Sequence, residues 1–184
     1  MRRAFGRALA ITGLMLAPAL AVAQHNMGSM PAHEVGVDLG LAYIKGSGAP
    51  GIFSLGTPVD VRLGFVMQSG WTLEPRVILK YLSGGGASAH DIDLDANALF
   101  PVGSGSTYRK GMYLTAGGGL DFTGTSPGGS ATLLQINGGI GTRVPYESGA
   151  IRLEAYVKYH FEDTSAGIPN TFEIGGRVGL SLWH

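Results

Sequence analysis

Apolar and polar residues alternate one by one along most of this chain, and the alternation is cleanest over residues 171–184. There Phe172, Ile174, Gly176, Val178, Leu180 and Leu182 form one apolar or small row, interleaved with Thr171, Glu173, Gly175, Arg177, Gly179 and Ser181. A period of two predicts a β-strand with one apolar and one polar face. The pattern recurs upstream. Residues 34–44 set Val35, Val37, Leu39, Leu41 and Tyr43 against Gly36, Asp38, Gly40 and Ala42, and residues 59–67 set Val59, Val61, Leu63, Phe65 and Met67 against Asp60, Arg62 and Gly64. In 71–81, Trp71, Leu73, Val77, Leu79 and Tyr81 oppose Thr72, Glu74, Arg76 and Lys80; in 90–100, Ile92, Leu94, Ala96 and Ala98 oppose Asp91, Asp93, Asp95 and Asn97. Three more strands are predicted at 107–122, 132–144 and 150–162, the last placing Arg152, Glu154, Tyr156, Lys158 and His160 on one face. Pro75 cannot donate to a ladder, so a local bulge is expected there.

Between these segments lie Gly-, Ser- and Pro-rich connections that alternate in length. The longer ones are 45–56, 83–89, 123–130 and 163–170; the shorter ones are 68–70, 101–106 and 145–149. Eight strands of about ten residues joined in this way predict an all-β, eight-stranded, antiparallel up-and-down transmembrane β-barrel. Its aromatic residues fall into two groups: Phe65, Trp71, Phe100 and Trp183 near one end, and Tyr43, Tyr81, Phe122, Tyr159 and Phe172 near the other. Two such girdles suit the two interfaces of a bilayer.

The charges decide which face meets lipid. Asp38, Asp60, Arg62, Glu74, Arg76, Lys80, Asp91, Asp93, Asp95, Arg109, Asp121, Arg143, Arg152, Glu154, Lys158, Glu173 and Arg177 all lie opposite the apolar rows, with Lys110 the exception. A Lys or Arg turned to lipid at mid-depth costs about 2–4 kcal/mol, a large part of a folding free energy of about 5–15 kcal/mol. The charged rows therefore face inward. Eight strands enclose only enough space for side chains, so these nearly balanced charges predict a lumen filled by ion pairs. The expected pairs are Lys80 with Asp91, Arg76 with Asp95, Lys158 and His160 with Glu173, and Glu154 with Arg177. Glycines 117, 119, 139, 141, 175 and 179 admit either a narrow wet cavity or the relief of crowding between strands.

Composition adds the compartment. Residues 1–23 read as a signal peptide: Arg2, Arg3 and Arg7, an apolar run, then Ala21-Val22-Ala23. Residues 24–33 form a polar leader, and 34–184 the barrel. Removing the three arginines leaves a mature charge near −3, which points away from nucleic acid. No cysteine is present, so the fold must hold without disulfides. Glycine, 31 of 184 residues, is more than twice as frequent as its usual share of about 7% and suits many turns and a crowded strand interior.

The whole pattern resembles the small outer-membrane β-barrels of the OmpA/OmpX type. The resemblance implies an outer-membrane location, lipid and lipopolysaccharide as surroundings, periplasmic chaperones and the barrel assembly machinery as partners during biogenesis, and a monomer. It also makes Phe172, Ile174, Gly176, Val178, Leu180, Leu182 and Trp183 the expected assembly signal, although His184 stands where such strands commonly end on an aromatic residue. A structural or surface-interaction role without catalysis or cofactor is the expectation. A narrow channel is the first alternative.

Candidate chemistry is sparse. Asp91, Asp93 and Asp95 share one strand face and could hold calcium, or could simply balance Lys80, Arg76 and Arg109. His25, Met27, Met30 and His33 would suit copper, but ordering their leader costs entropy. Ile52, Phe53 and Leu55 could meet lipopolysaccharide or pack on the rim. The stretch from His160 through Glu162, Asp163 and Ser165 faintly resembles the lipid A 3-O-deacylases, with Glu162 where that family has its serine and Asp163 where it has asparagine. This makes a hydrolase with an incomplete triad the second alternative.

Overall fold

The computed structural model describes residues 33–48, 50–84 and 86–183, apart from the side chains of 54–59, 82–84 and 87. The expected signal peptide, the leader with His25, Met27 and Met30, the Leu55 side chain and His184 lie outside the described residues.

Eight strands of 12–17 residues follow one another: β1 (His33–Gly46), β2 (Ile52–Val66), β3 (Thr72–Gly84), β4 (Ala87–Pro101), β5 (Gly111–Ser126), β6 (Ser130–Tyr146), β7 (Gly149–His160) and β8 (Thr171–Trp183). Each pairs antiparallel with its sequence neighbour, and β8 returns to β1, closing the barrel. Tight turns make such neighbours the cheapest partners. At 67–71 the Gly70 N–H donates to the Met67 carbonyl at 2.9 Å, and Gly70 has φ +88°, a conformation that strains other residues. At one end lie the turns around 67–71, 102–110 and 147–148, here called the lower end; the hairpin tips mark the upper end.

The strands are strongly staggered. Following directly opposed residues from Tyr43 leads through Ile174, Val157, Gly138, Ala116, Ala98, Leu73 and Phe65 back to His33, ten positions earlier on β1. A shear of this size tilts the strands against the barrel axis. Inward side chains from distant parts of the sequence therefore share one level of the lumen.

Several strands run further than the alternation suggests. Much of 45–56 continues the β1–β2 hairpin, with Ile44 opposite Ile52, because backbone pairing persists where the side-chain pattern fades. Residues 107–110 lie instead in the turn before β5, so Arg109 is exposed beside the Tyr108 ring and outside the lumen. The register shift occurs between Asp38 and Gly40 of β1, where the partner residues jump from Asp60 to Gly56 across a segment containing Pro58. No shift accompanies Pro75. The β3–β4 register runs through Pro75 opposite Ala96, and on the β2 side pairing is interrupted between Arg62–Arg76 and Phe65–Leu73 with its register kept. The missing N–H thus removes ladder bonds without inserting a residue.

The faces are inverted relative to a water-soluble domain. Val35, Val37, Leu39, Leu41, Leu114, Ile136, Ile140, Leu153, Ile174 and Leu180 are exposed on the outer wall, whereas most buried residues are polar or charged. Aromatic pairs mark both ends: Trp71 stacks on Phe100 at 6.0 Å below, and Tyr43 and Tyr159 meet Phe53 and Phe161 at 5.1 Å above. Trp183 corrects the girdle assignment. It follows the inward row of Ser181, meets Tyr108 edge-on at 5.7 Å, and has the Arg143 guanidinium 5.9 Å from its ring centre. It therefore caps the lower lumen. The other residues of the expected assembly signal, Phe172 through Leu182 in alternation, all face outward.

This parity is open to chemical labelling. A cysteine at Leu180 should react with an apolar maleimide in detergent micelles, while one at Ser181, fully buried, should react only after denaturation.

Candidate functional site

Inward-facing charges separate into two clusters. In the lower one, Glu34, Asp38, Asp60, Glu74 and Glu154 meet Arg62, Arg76, Arg143, Arg152 and Arg177. Arg62, with no solvent exposure, binds Glu34, reaches Asp38 Oδ2 at 2.9 Å and donates to Ser181 Oγ at 2.9 Å. Arg76 reaches Asp38, Asp60 and Glu74 at 3.1, 3.3 and 3.0 Å. Arg152 binds Glu74, reaches Glu154 at 3.0 Å and donates to the Tyr113 hydroxyl at 3.1 Å. Arg143 donates to Glu34 Oε2 at 3.2 Å and lies over the Tyr113 ring, while Arg177 reaches Glu154 at 3.1 Å and lies over Tyr156 at 3.8 Å. Five guanidinium groups face five carboxylates. Arginine suits this place because its fixed fork binds two or three carboxylates at once.

The upper cluster has a different balance. Lys80 donates to Asp91 at 2.9 Å, and Lys158 approaches Asp93 and Asp95 at 3.3 and 3.2 Å. Gln135 Nε2 donates to Asp93 and Asp95 at 3.0 and 2.6 Å, His160 Nδ1 lies 3.2 Å from Asp121 Oδ2, and the Tyr156 hydroxyl donates to Glu173 at 2.5 Å. Among the described residues no ion pair joins the two clusters. Where they meet is a cavity of about 30 Å³ whose lining includes Asp60, Arg177, Lys80, Asp93, Lys158 and Glu173, room for about one water.

Two expected pairs are present, Lys80–Asp91 and Glu154–Arg177. Two others stand opposite in register without pairing through their side chains. Arg76 faces Asp95 across the ladder but turns down to Asp38, Asp60 and Glu74; Lys158 faces Glu173 but reaches back to Asp93 and Asp95. His160 meets Asp121 and not Glu173. Long side chains in a staggered barrel are not confined to the residue opposite. The expected near-neutrality also changes, because Arg109 lies outside and Glu34, overlooked among the charges, is 1% exposed at the centre of the lower cluster. Its parity with Gly36 and Asp38 was the available signal; the same rule reaches Tyr113, Gln135, Tyr156 and Ser181.

The interior glycines make room for neighbours. A Cβ on Gly175 would lie 2.6 Å from the Tyr156 ring, and one on Gly36 would run into the Arg62 guanidinium. Space at Gly117, Gly119, Gly141 and Gly179 is likewise taken by Asn97, Asp95, Tyr113 and Asp38. None of these glycines lines the small cavity between the two clusters.

The remaining candidates are scattered. Asp95 is held by Lys158 and Gln135, while Asp91 and Asp93 group with Asp121. His33 packs edge-on against Phe65 at 5.6 Å. Ile52 and Phe53 are exposed at the upper rim, Phe53 by 80%. Ser165 Oγ donates to Asp163 Oδ1 at 2.5 Å in the β7–β8 loop, whereas His160 points into the lumen toward Asp121. The Ser165 hydroxyl, with backbone N–H groups of Ala166 and Ser165, holds the exposed Asp163 carboxyl below its usual range.

Removing one partner of a buried pair costs more than the pair contributes, because a charge is left desolvated. Arg62→Met and Glu34→Gln should each destabilise the barrel by about 3–5 kcal/mol, measured by urea unfolding in micelles. Gly36→Ala should cost about 1–3 kcal/mol through overpacking. The Asp163 turn is supported above the ordinary carboxylate pKa and loses that support as pH falls through the lowered value. Amide shifts of Ser165 and Ala166 should therefore move at lower pH than those beside an unbonded aspartate.

No protein-family model matches the chain, and no curated protein sequence does so significantly. Solved structures do match. Neisserial surface protein A (NspA) superposes with a TM-score of 0.57 at 15% identity, covering 82% of this chain and 97% of that one. Ail, the attachment invasion locus protein of Yersinia pestis, superposes with a TM-score of 0.50 at 10% identity, covering 85% and 100%. At these identities the likeness is one of architecture: the chain has the fold of the small eight-stranded outer-membrane β-barrels.

Proposed function

We propose that this chain is a bacterial outer-membrane protein with a structural or surface-interaction role, whose lumen is closed to solutes. The observation that carries this reading is the lower cluster: five arginines and five carboxylates, all but Arg177 buried, stacked with Tyr113 and Trp183 across the bore. A conduit would need a continuous polar path with water. Here the cavity of about 30 Å³ between the two clusters ends on that cluster.

The membrane location is supported by the outer wall. Apolar side chains cover it at mid-height, and aromatic pairs flank it at both ends, the arrangement expected where amphipathic rings meet headgroups. Residues 1–23 supply the export signal, and the outward row Phe172, Ile174, Gly176, Val178, Leu180 and Leu182 the surface that the barrel assembly machinery would read. The protein works as a monomer among lipid and lipopolysaccharide, and exposed Phe53 and Ile52 offer the upper rim an apolar contact for acyl chains or a surface partner. No catalytic group is assigned, since His160 and Ser165 are each engaged with a different aspartate.

Detergent-purified protein should migrate differently on gels before and after boiling, and should give no steady openings in planar bilayers. Large, lasting single-channel currents would overturn the closed lumen; extraction without detergent would overturn the membrane location.

A further inference from the structure

The upper cluster carries more negative charge than its bases neutralise. Asp91, Asp93, Asp95, Asp121 and Glu173 face two lysines and one histidine, a surplus of at least two charges, whereas the lower cluster is balanced one to one. The surplus gathers at one point. Asp91, Asp93 and Asp121 each offer an oxygen within 4.8 Å of the others. Of the three cations that the sequence offered as counterweights, Arg76 serves the lower cluster and Arg109 is outside the barrel, so only Lys80 is present.

A second observation points to a guest. The Asp121 side chain is 8% exposed; its Oδ2 is beside His160, and its Oδ1 is buried with no donor. Asp91 Oδ1 is likewise buried without a donor, and the Asp91 and Asp121 carboxyls lie within hydrogen-bond reach of each other, a contact that one shared proton would also satisfy. Two carboxyls in contact need either a shared proton or a cation between them. The Gln135 carbonyl oxygen, in a residue with no solvent exposure and with its amide nitrogen on Asp93, is a further buried acceptor without a partner.

We propose that Asp91, Asp93 and Asp121 form a binding site for a hard divalent cation, calcium, entered from the upper end of the lumen. All the donors are oxygens in an irregular arrangement, which calcium tolerates better than magnesium. Asp91 and Lys80, with side chains 27% and 32% exposed, leave a way in from that end. His160 is a positioning residue: by holding Asp121 Oδ2 it leaves Oδ1 for the ion. Lys80 competes for Asp91, and Lys158 for Asp93, which sets the affinity in the weak range typical of extracellular sites, about 10⁻⁴–10⁻³ M. The site requires only the folded barrel and is independent of the closed-lumen reading.

Calorimetric titration of the full chain in micelles with calcium chloride, near neutral pH, tests this. One saturable site is expected, with the His160 ring resonances shifting along the same curve. Asp121→Asn should weaken binding at least roughly tenfold, Lys80→Met should tighten it severalfold, and the exposed Glu162→Gln should leave it unchanged. Should Asp121→Asn fail to regain heat-modifiable migration, Asp91→Asn, at the partly exposed edge, takes its place with the same expected loss. No saturable binding by folded wild-type protein up to about 10 mM calcium would overturn the site and leave a shared proton as the guest; so would binding that survives both aspartate substitutions.

Discussion

The interaction on which this structure depends is the pairing of desolvated charges across a narrow bore filled by side chains. Eight strands leave room for side chains and little else, so each carboxylate or guanidinium inside loses its hydration and must find a partner. Arginine meets that requirement best. Arg62, Arg76 and Arg152 each touch two or more carboxylates from different strands, so the lower cluster ties together β1, β2, β3 and β7, with β8 held through Ser181 and Arg177. The stagger of ten residues makes this possible, because it brings Glu34, at the start of β1, level with Arg143 and Arg152 from the far side of the barrel. Without that shear the same residues would line separate levels.

The wall follows from the contents. Once the charges are enclosed, alternation turns the remaining side chains outward, and most of the large ones are Val, Leu and Ile. Closure removes free edges, satisfies the backbone without a second sheet, and replaces the disulfides that a chain lacking cysteine does not have. Glycine completes the arrangement. At Gly36 a side chain would displace the guanidinium of Arg62, and at Gly175 it would meet the ring of Tyr156. Its abundance is thus the counterpart of large inward residues on neighbouring strands.

Alternation made the strands, their faces and the barrel legible, since a period of two assigns every residue to the lumen or the wall. It assigned even Glu34, Tyr113 and Gln135, which an inventory confined to obvious ion pairs passed over. Pairing was less legible. Ladder opposition brought Lys80 to Asp91 and Arg177 to Glu154, but Arg76 and Lys158 bypass their opposite residues because side chains of that length choose among partners several strands away. Trp183 and Arg109 show a related limit. The pattern places them near the lower end, but whether such a residue caps the bore, joins a girdle or leaves the barrel depends on where the strand stops.

The two clusters divide the lumen by chemistry as well as by position. Below, planar guanidinium groups and carboxylates match one to one in number, with aromatic rings beside Arg143 and Arg177. Above, lysine replaces arginine. A lysine ammonium is a compact charge on a flexible stem and does not lock two carboxylates into one plane as a guanidinium fork does. Asp91, Asp93 and Asp121 therefore gather where the acids outnumber the bases. The balanced cluster fills the lower lumen, and the acidic one lies toward the upper end. Adjustable electrostatics at that end cost the barrel little, because closure does not rest on them.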